Sequence, residues 1–270
     1  MALLLHYTGQ DYISRGLLKT ELTPGSTSAI IGGCKTGKGF VFDGTANSSF
    51  EINGIQDSEK FSIDFWYYTG ANVSDHQSIF SDYSQLHGRI NIRVINDTFT
   101  AFIYNTSNVF TNVISGTIVI NTWYHVAVTV DAIGNISIYL NGILQQQLAI
   151  AGTVKSSSGL YSIGKRHTYG NLLLTGVKLC NFKYYDHVLS QKEINEDYKS
   201  LMLHYKLDKP ITTQVFDHSG FNRHIQVIEN TTTNSTTQKR VYGGSLANDG
   251  TQSLYGSLNL SELNGINEIS

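Results

Sequence analysis

Charge is scarce in this chain. Asp, Glu, Lys and Arg make up 15% of its 270 residues, well below the roughly 25% of an average globular protein. Hydroxyls, amides and 25 glycines must therefore carry much of the surface. No Lys/Arg block stands out and the formal net charge is −2, so the electrostatic footprint of a nucleic-acid binder is missing. Long apolar runs are missing too: Ala2 to Leu5 is too short for a signal-peptide core, lacks basic residues ahead of it, and nothing later has the length of a membrane span. Cys34 and Cys180 are the only cysteines. Two thiols are not a disulfide framework, and although they could pair, the expectation is free buried thiols. Nine histidines fall without H-x-H or H-E-x-x-H spacing, which excludes a recognisable zinc constellation. A G-x-S-x-G elbow is also absent, so a hydrolase triad has no support.

What is present reads as strands. In FSIDFWYY, residues 61–68, Phe61, Ile63, Phe65 and Tyr67 share one face with period two. HQSIF, RINIRVI, TFTAFIY and TIVI follow at short spacing, separated by turn residues. In residues 123–150, Val126, Val128 and Val130 share a face, then Ile136, Ile138 and Leu140, and Asn141-Gly142 supplies a tight hairpin turn. Regular short strands of this kind predict an all-β, antiparallel two-sheet sandwich.

One helix is expected at 191–199. Ser190 and Glu193 form a capping box, with Leu189 before the cap placed to staple onto Ile194. Directly after it, LMLHYKLD at 201–208 echoes LLLHYTGQ at 3–10, and GSLANDGT at 244–251 echoes KGFVFDGT at 38–45. Two shared phrases in the same order predict one complete unit over 1–200 and, over 201–270, the incomplete opening segment of a second copy. Such a fragment would expose strand edges, so the expectation is that the natural chain continues past Ser270 or that a partner completes it.

The order of these phrases resembles the laminin-G-like, concanavalin A-type jelly rolls, related to pentraxins, of the bacterial and phage branch. FVFDGT is similar to that family's opening strand, FSIDFWYY to its aromatic strand, WYHVAVTVD with ISIYLNG to its central meander, and YYDHVLSQKEI to its closing strand and capped turn. The resemblance implies a jelly roll ending in one short helix. It also implies a structural calcium, for which Asp11, Asp43 and Asp186 are the candidate ligands, although Cys180 and Asn181 occupy the stretch where acidic residues are usual.

Other motifs are weak. GGCKTGKG, 32–39, satisfies G-x-x-x-x-G-K, but Gly39 replaces the Ser/Thr that would hold magnesium and a strand, not a helix, follows; the expectation is a glycine turn. A glycosidase needs two carboxylates flanking the scissile bond, and FSIDFWYY offers only Asp64, beside Ser62 and Trp66. Glu196 and Asp197 are expected on the solvent side of the helix, and His125 on the face away from the valines. Rings can stack on sugars, and the loops 69–77, 82–89 and 164–171 sit where scaffolds present recognition residues. The candidate glycan-binding residues are Trp66, Tyr68, Tyr83, His167, Tyr169 and Asn171, although sandwiches also bury many rings.

The function expected from these readings is a non-catalytic interaction module, a structural or adhesion component of a multidomain bacteriophage virion protein. It would contact other subunits of the assembly and cell-surface glycan, without nucleic acid, membrane insertion or a required cofactor. The alternatives are a lectin domain of a bacterial surface protein and a jelly-roll glycoside hydrolase.

Overall fold

The computed structural model describes residues 2–8, 12–19, 21–25, 30–35, 37–55, 58–74, 76–82, 88–157, 159–166, 172–173 and 175–199, and the strand segments 214–215, 225–226, 234–240 and 243–247. The chain divides into two units, Met1–Ser200 and Leu201–Ser270. In the second, Gln214–Val215 pairs with Ile225–Gln226 and Asn234–Arg240 with Gly243–Ala247, both antiparallel.

The first unit runs β1 (Leu3–Tyr7), β2 (Thr23–Pro24), β3 (Ile30–Cys34), β4 (Gly37–Val41), β5 (Phe50–Asn53), β6 (Phe61–Tyr68), β7 (Gln77–Asp82) and β8 (Ile90–Ile95). It continues through β9 (Thr98–Tyr104), β10 (Phe110–Thr117), β11 (Trp123–Val130), β12 (Asn135–Leu140), β13 (Ile143–Ala149), β14 (Leu160–Ile163), β15 (Lys178–Tyr185) and α1 (Gln191–Lys199). Two antiparallel sheets result. One has the order β13-β12-β11-β6-β15-β4-β3, with β1 also on β15; the other has the order β10-β9-β8-β7-β14-β5-β2.

The alternating residues close the sandwich. Phe61, Ile63, Phe65 and Tyr67 of β6, Val126, Val128 and Val130 of β11, and Ile136 and Ile138 of β12 are fully buried. They face Ile90, Ile92 and Val94 of β8 and Phe99, Ala101 and Ile103 of β9. Rings fill the centre: Phe80 stacks on Tyr161 at 5.1 Å and Phe61 on Tyr184 at 5.6 Å. β6 and β11 pair over their whole length, from Phe61 opposite Val130 to Tyr68 opposite Trp123. The Asn141-Gly142 turn has φ of 50° and 79°, the positive region these residues tolerate best.

The helix starts where its cap dictates. The Ser190 N–H donates to Glu193 Oε2 at 2.8 Å and the Glu193 N–H to Ser190 Oγ at 3.3 Å. Leu189 and Ile194 bury together against Ala127, which lays α1 over the outer face of the eight-stranded sheet. Gln191 Nε2 donates to the carbonyl of Gly142 at 2.5 Å, tying the helix to the β12–β13 turn.

Three local expectations are corrected. TIVI is not a strand: β10 is the preceding FTNVISGT and ends at Thr117, after which Ile118 dips into the core and Val119 and Ile120 are exposed. The glycine motif is not merely a turn, because Ile30–Cys34 and Gly37–Val41 pair as a hairpin. Cys34 and Cys180 are not free thiols but a disulfide, with Cα atoms 6.1 Å apart, inside the range the bond requires. They lie on β3 and β15, the strands on either side of β4, and Gly39 of β4 lies between them. A Cβ on Gly39 would overlap Cys34 Sγ and meet Cys180 Sγ at 3.0 Å. The bare glycine is what lets the bond cross the strand.

Candidate functional site

β6 sends Ser62, Asp64, Trp66 and Tyr68 to the outer face of its sheet, and α1 decides their fates. Asp64 is 1% exposed and lies under the helix. Its Oδ2 is 2.8 Å from His125 Nε2, off the line of a well-aligned hydrogen bond, and its Oδ1 is 3.6 Å from Lys183 Nζ. Burial alone would raise its pKa, but the cationic field of His125 and Lys183 outweighs burial and holds it below the usual carboxylate value. Lys183 also pairs with Asp197 of α1, which accepts a hydrogen bond from Tyr185 Oη at 3.0 Å. Asp197 is thus an anchor of the helix rather than a solvent-side acid. His125 does face away from the valines.

Trp66 is not an open platform. Tyr198 of α1 stacks over it at 5.8 Å, His125 meets it at 5.2 Å and Lys35 Nζ lies 5.6 Å from its ring; only 4% of it is exposed. Burial by a helix from the far end of the unit was invisible in the local pattern.

Tyr68, one step beyond the helix, is half-buried and accessible. Its ring lies 5.3 Å from that of Trp123, the residue directly opposite on β11. Lys178 Nζ stands 5.4 Å from the Tyr68 ring on the other side. The Tyr68 hydroxyl is 3.5 Å from Asn121 Oδ1. Two rings, an ammonium and an amide thus share one edge of the open sheet face. Lys178 and Asn121 were not read from the sequence, and Trp123 stood only among the chain's many aromatics, outside the six glycan-binding candidates; aligning FSIDFWYY end to end with WYHVAVTV would have paired it with Tyr68. Tyr83, His167, Tyr169 and Asn171 lie outside the described residues.

Of the three candidate calcium ligands, Asp43 and Asp186 stand apart. Asp43 Oδ1 accepts the Thr45 N–H and hydroxyl, each at 2.8 Å, while Asp186 Oδ1 accepts the Ala2 N–H at 2.6 Å and contacts His187 Nδ1 at 3.1 Å. The Ala2 N–H, first, and His187 hold the Asp186 carboxyl below its ordinary value. Asp43 follows β4 and Asp186 follows β15, antiparallel neighbours, so the two acids stand at opposite ends of the sandwich. Asp11 lies outside the described residues, among which no cluster of three metal-ligating side chains occurs. Asn181 accepts a hydrogen bond from His6, whose imidazole is lowered chiefly by burial.

A cleft of about 400 Å³ opens at the other end, lined by Arg89, Asp131, Ile133 and Lys155 among others. Three of its charged side chains are engaged: Asp131 accepts from Asn135 at 2.8 and 2.9 Å, Lys155 donates to Asn108 at 2.8 Å, and Arg89 donates to the Ser58 carbonyl.

The family profile described as Concanavalin A-like lectin/glucanases superfamily (Laminin_G_3) matches residues 42–195. No curated protein sequence matches the chain. Among solved structures, the receptor-binding domain of botulinum neurotoxin type G is similar at 18% identity and a TM-score of 0.61, over 92% of this chain and 66% of that one. The binding domain of Paraclostridial Mosquitocidal Protein 1 gives 13% identity and a TM-score of 0.62, over 92% and 74%. The binding domain of botulinum neurotoxin DC, solved in complex with SialylT, gives 16% and 0.62, over 76% and 53%. The chain thus spans roughly half to three quarters of these domains, and at such identities the likeness is one of fold.

Proposed function

The chain belongs to the Concanavalin A-like lectin/glucanases superfamily, whose profile matches more than half of it, and from that premise we propose a non-catalytic recognition module that docks glycans on the Tyr68–Trp123 face. The observation that carries this reading is the accessible ring pair flanked by Lys178 and Asn121. Aromatic faces pack on the axial hydrogens of a sugar, and the ammonium and amide supply hydrogen bonds to its hydroxyls. The glycan-bearing complex of one structural neighbour supports the same ligand class. The non-catalytic half rests on Asp64, which is locked against His125 and Lys183 under α1 and out of reach of a scissile bond.

Glycan-array binding by the full chain tests the proposal. Signal lost on Trp123→Ala, with the fold intact by circular dichroism, is expected; a blank array at high protein concentration, or binding unchanged in Trp123→Ala, overturns it. Polysaccharide cleavage that disappears in Asp64→Asn would overturn the non-catalytic half.

Contact with other subunits is a second reading with its own observation. Phe110 and Ile114 of β10 and Ile143, Leu144 and Leu148 of β13 are between 40% and 66% exposed along one side of the sandwich, the kind of apolar grouping that marks interaction surfaces. We place the module on a virion, with a bacterial surface as the alternative. The disulfide supports an oxidising final setting, which either provides. A strictly monomeric, freely diffusing protein would remove the assembly reading.

A further inference from the structure

From Thr98 to Val154 the chain carries one charged residue, Asp131, although 15% of all its residues are charged. This stretch folds into β9 to β13 and so supplies an edge strand to each sheet, β10 to one and β13 to the other. Asp131 and the next charge in sequence, Lys155, line the cleft at one end of the sandwich, where Asn135 and Asn108 engage them.

The two uncharged edges form one side of the molecule. The Ile114 and Gly116 N–H groups of β10 donate to Gln146 and Gln145 of β13, and the Ala151 N–H donates to Thr111 Oγ1 at 3.4 Å. Val113 turns into the core, which turns Phe110 and Ile114 outward. With Val109 beside them and Ile143, Leu144 and Leu148 on β13, this side holds six of the eleven large apolar side chains that stand exposed among the described residues, each between 40% and 66% exposed.

Its dimensions suit a small interface. Strands of 8 and 7 residues run about 24 Å, and two sheets about 10 Å apart with their outward side chains make the strip about 20 Å wide. That amounts to about 500 Å² per partner, or about 1,000 Å² buried in all, the least that a specific contact needs.

Charge then selects the occupant. Contacts between unlike proteins are steered and made selective by opposed charges, and the residues of these two strands offer none. In a two-fold contact the same patch meets itself, so a charge near the axis would face its like. An uncharged apolar strip is free of that repulsion. Because Gln145 and Gln146 already occupy N–H groups of β10, the contact is one of side chains rather than of an added strand, and it ends with the pair.

We propose that the β10–β13 side is the interface of a homodimer, in which two copies of this chain pack it against itself across a two-fold axis. The proposal names the partner in the subunit-contact reading above and rests on it.

Sedimentation velocity of the full chain over a wide range of concentration tests it. A reversible monomer–dimer equilibrium is expected, with dissociation on dilution because the strip is small. Phe110→Lys sets like charges into an apolar contact and should weaken dimerisation at least about 10-fold. Ile143→Lys, at the most exposed apolar position of the strip, should do the same, and it keeps the test decisive if loss of the Phe110–Phe102 ring contact disturbs β9. Leu17→Lys, at a side chain 68% exposed but outside the strip, should leave the equilibrium unchanged. A dimer of undiminished strength in both Phe110→Lys and Ile143→Lys overturns the proposal and leaves the subunit reading to another face. Equal weakening in Leu17→Lys, or growth beyond the dimer as concentration rises, overturns it as well. A chain that stays monomeric at every concentration overturns the proposal and the subunit reading together.

Discussion

Nε2 of His125 lies 2.8 Å from Oδ2 of Asp64, with both side chains sealed from water beneath Tyr198 and the rest of α1. The pair sits where a hydrolase carboxylate would have been sought, and its geometry instead joins two central strands to the helix through Lys183 and Asp197. Removing one member leaves the other charges buried and uncompensated. Asp64→Asn should therefore cost about 3–5 kcal/mol at pH 7. The pH dependence has a definite sign. His125 and Lys183 hold the folded carboxyl below its unfolded value, so its contribution is complete above the unfolded pKa of about 3.9 and is lost as pH falls through the folded value. Urea denaturation at pH 7, 5 and 3.5 should show a wide gap between wild type and variant that narrows only at the last.

The disulfide and Gly39 should behave as one unit. Cys34→Ser with Cys180→Ser opens a link between residues 146 apart in sequence, and losing a native link of this kind costs about 2–5 kcal/mol. Gly39→Ala should have a similar effect without touching either cysteine, because its Cβ would overlap Cys34 Sγ and approach the Leu179 carbonyl oxygen at 2.7 Å. Thiol titration of denatured protein checks this: wild type should show no free thiol, and Gly39→Ala a substantial fraction. Full oxidation of Gly39→Ala would mean that β4 can shift and that the glycine is not required.

These two sites also mark what a single sequence reveals. Period-two alternation made β6, β11 and β12 legible because each strand buries one face, and a local rule needs only local residues. Ser190 and Glu193 fixed the start of α1 for the same reason. The bond between Cys34 and Cys180 depends on β3, β4 and β15 lying side by side, and the strand order that makes them neighbours is not written in either cysteine's surroundings. Trp66 and Tyr68 are one period apart and look equivalent in sequence. Only the landing place of α1 separates a covered ring from an open one.

The capping box should be measurable by itself. Ser190→Ala removes the acceptor for the Glu193 N–H and a partner of Glu193 Oε2 at 2.7 Å, so a loss of about 0.5–2 kcal/mol is expected. Because α1 covers Trp66, the same variant should raise quenching of tryptophan emission by acrylamide. An unchanged quenching constant would mean that Leu189 and Ile194 hold the helix down without help from the cap.

The two sheets end side by side at β10 and β13, and how those ends are closed gives a last expectation. An unpaired strand presents N–H groups that invite another chain. Here the Ile114 N–H donates to Gln146 Oε1 at 2.7 Å and the Gly116 N–H to Gln145 Oε1 at 3.1 Å. Side-chain amides of one edge thus satisfy the backbone of the other, although β13 carries no charge to repel a visitor. Replacing both Gln145 and Gln146 with Ala should leave the core and its cooperative unfolding nearly intact, since neither residue packs inside. Amide exchange at Ile114 and Gly116 should nonetheless accelerate, and light scattering at high concentration should rise as the uncovered edge finds other chains. If exchange at those two amides stays at the wild-type rate, something other than the glutamines guards the edge.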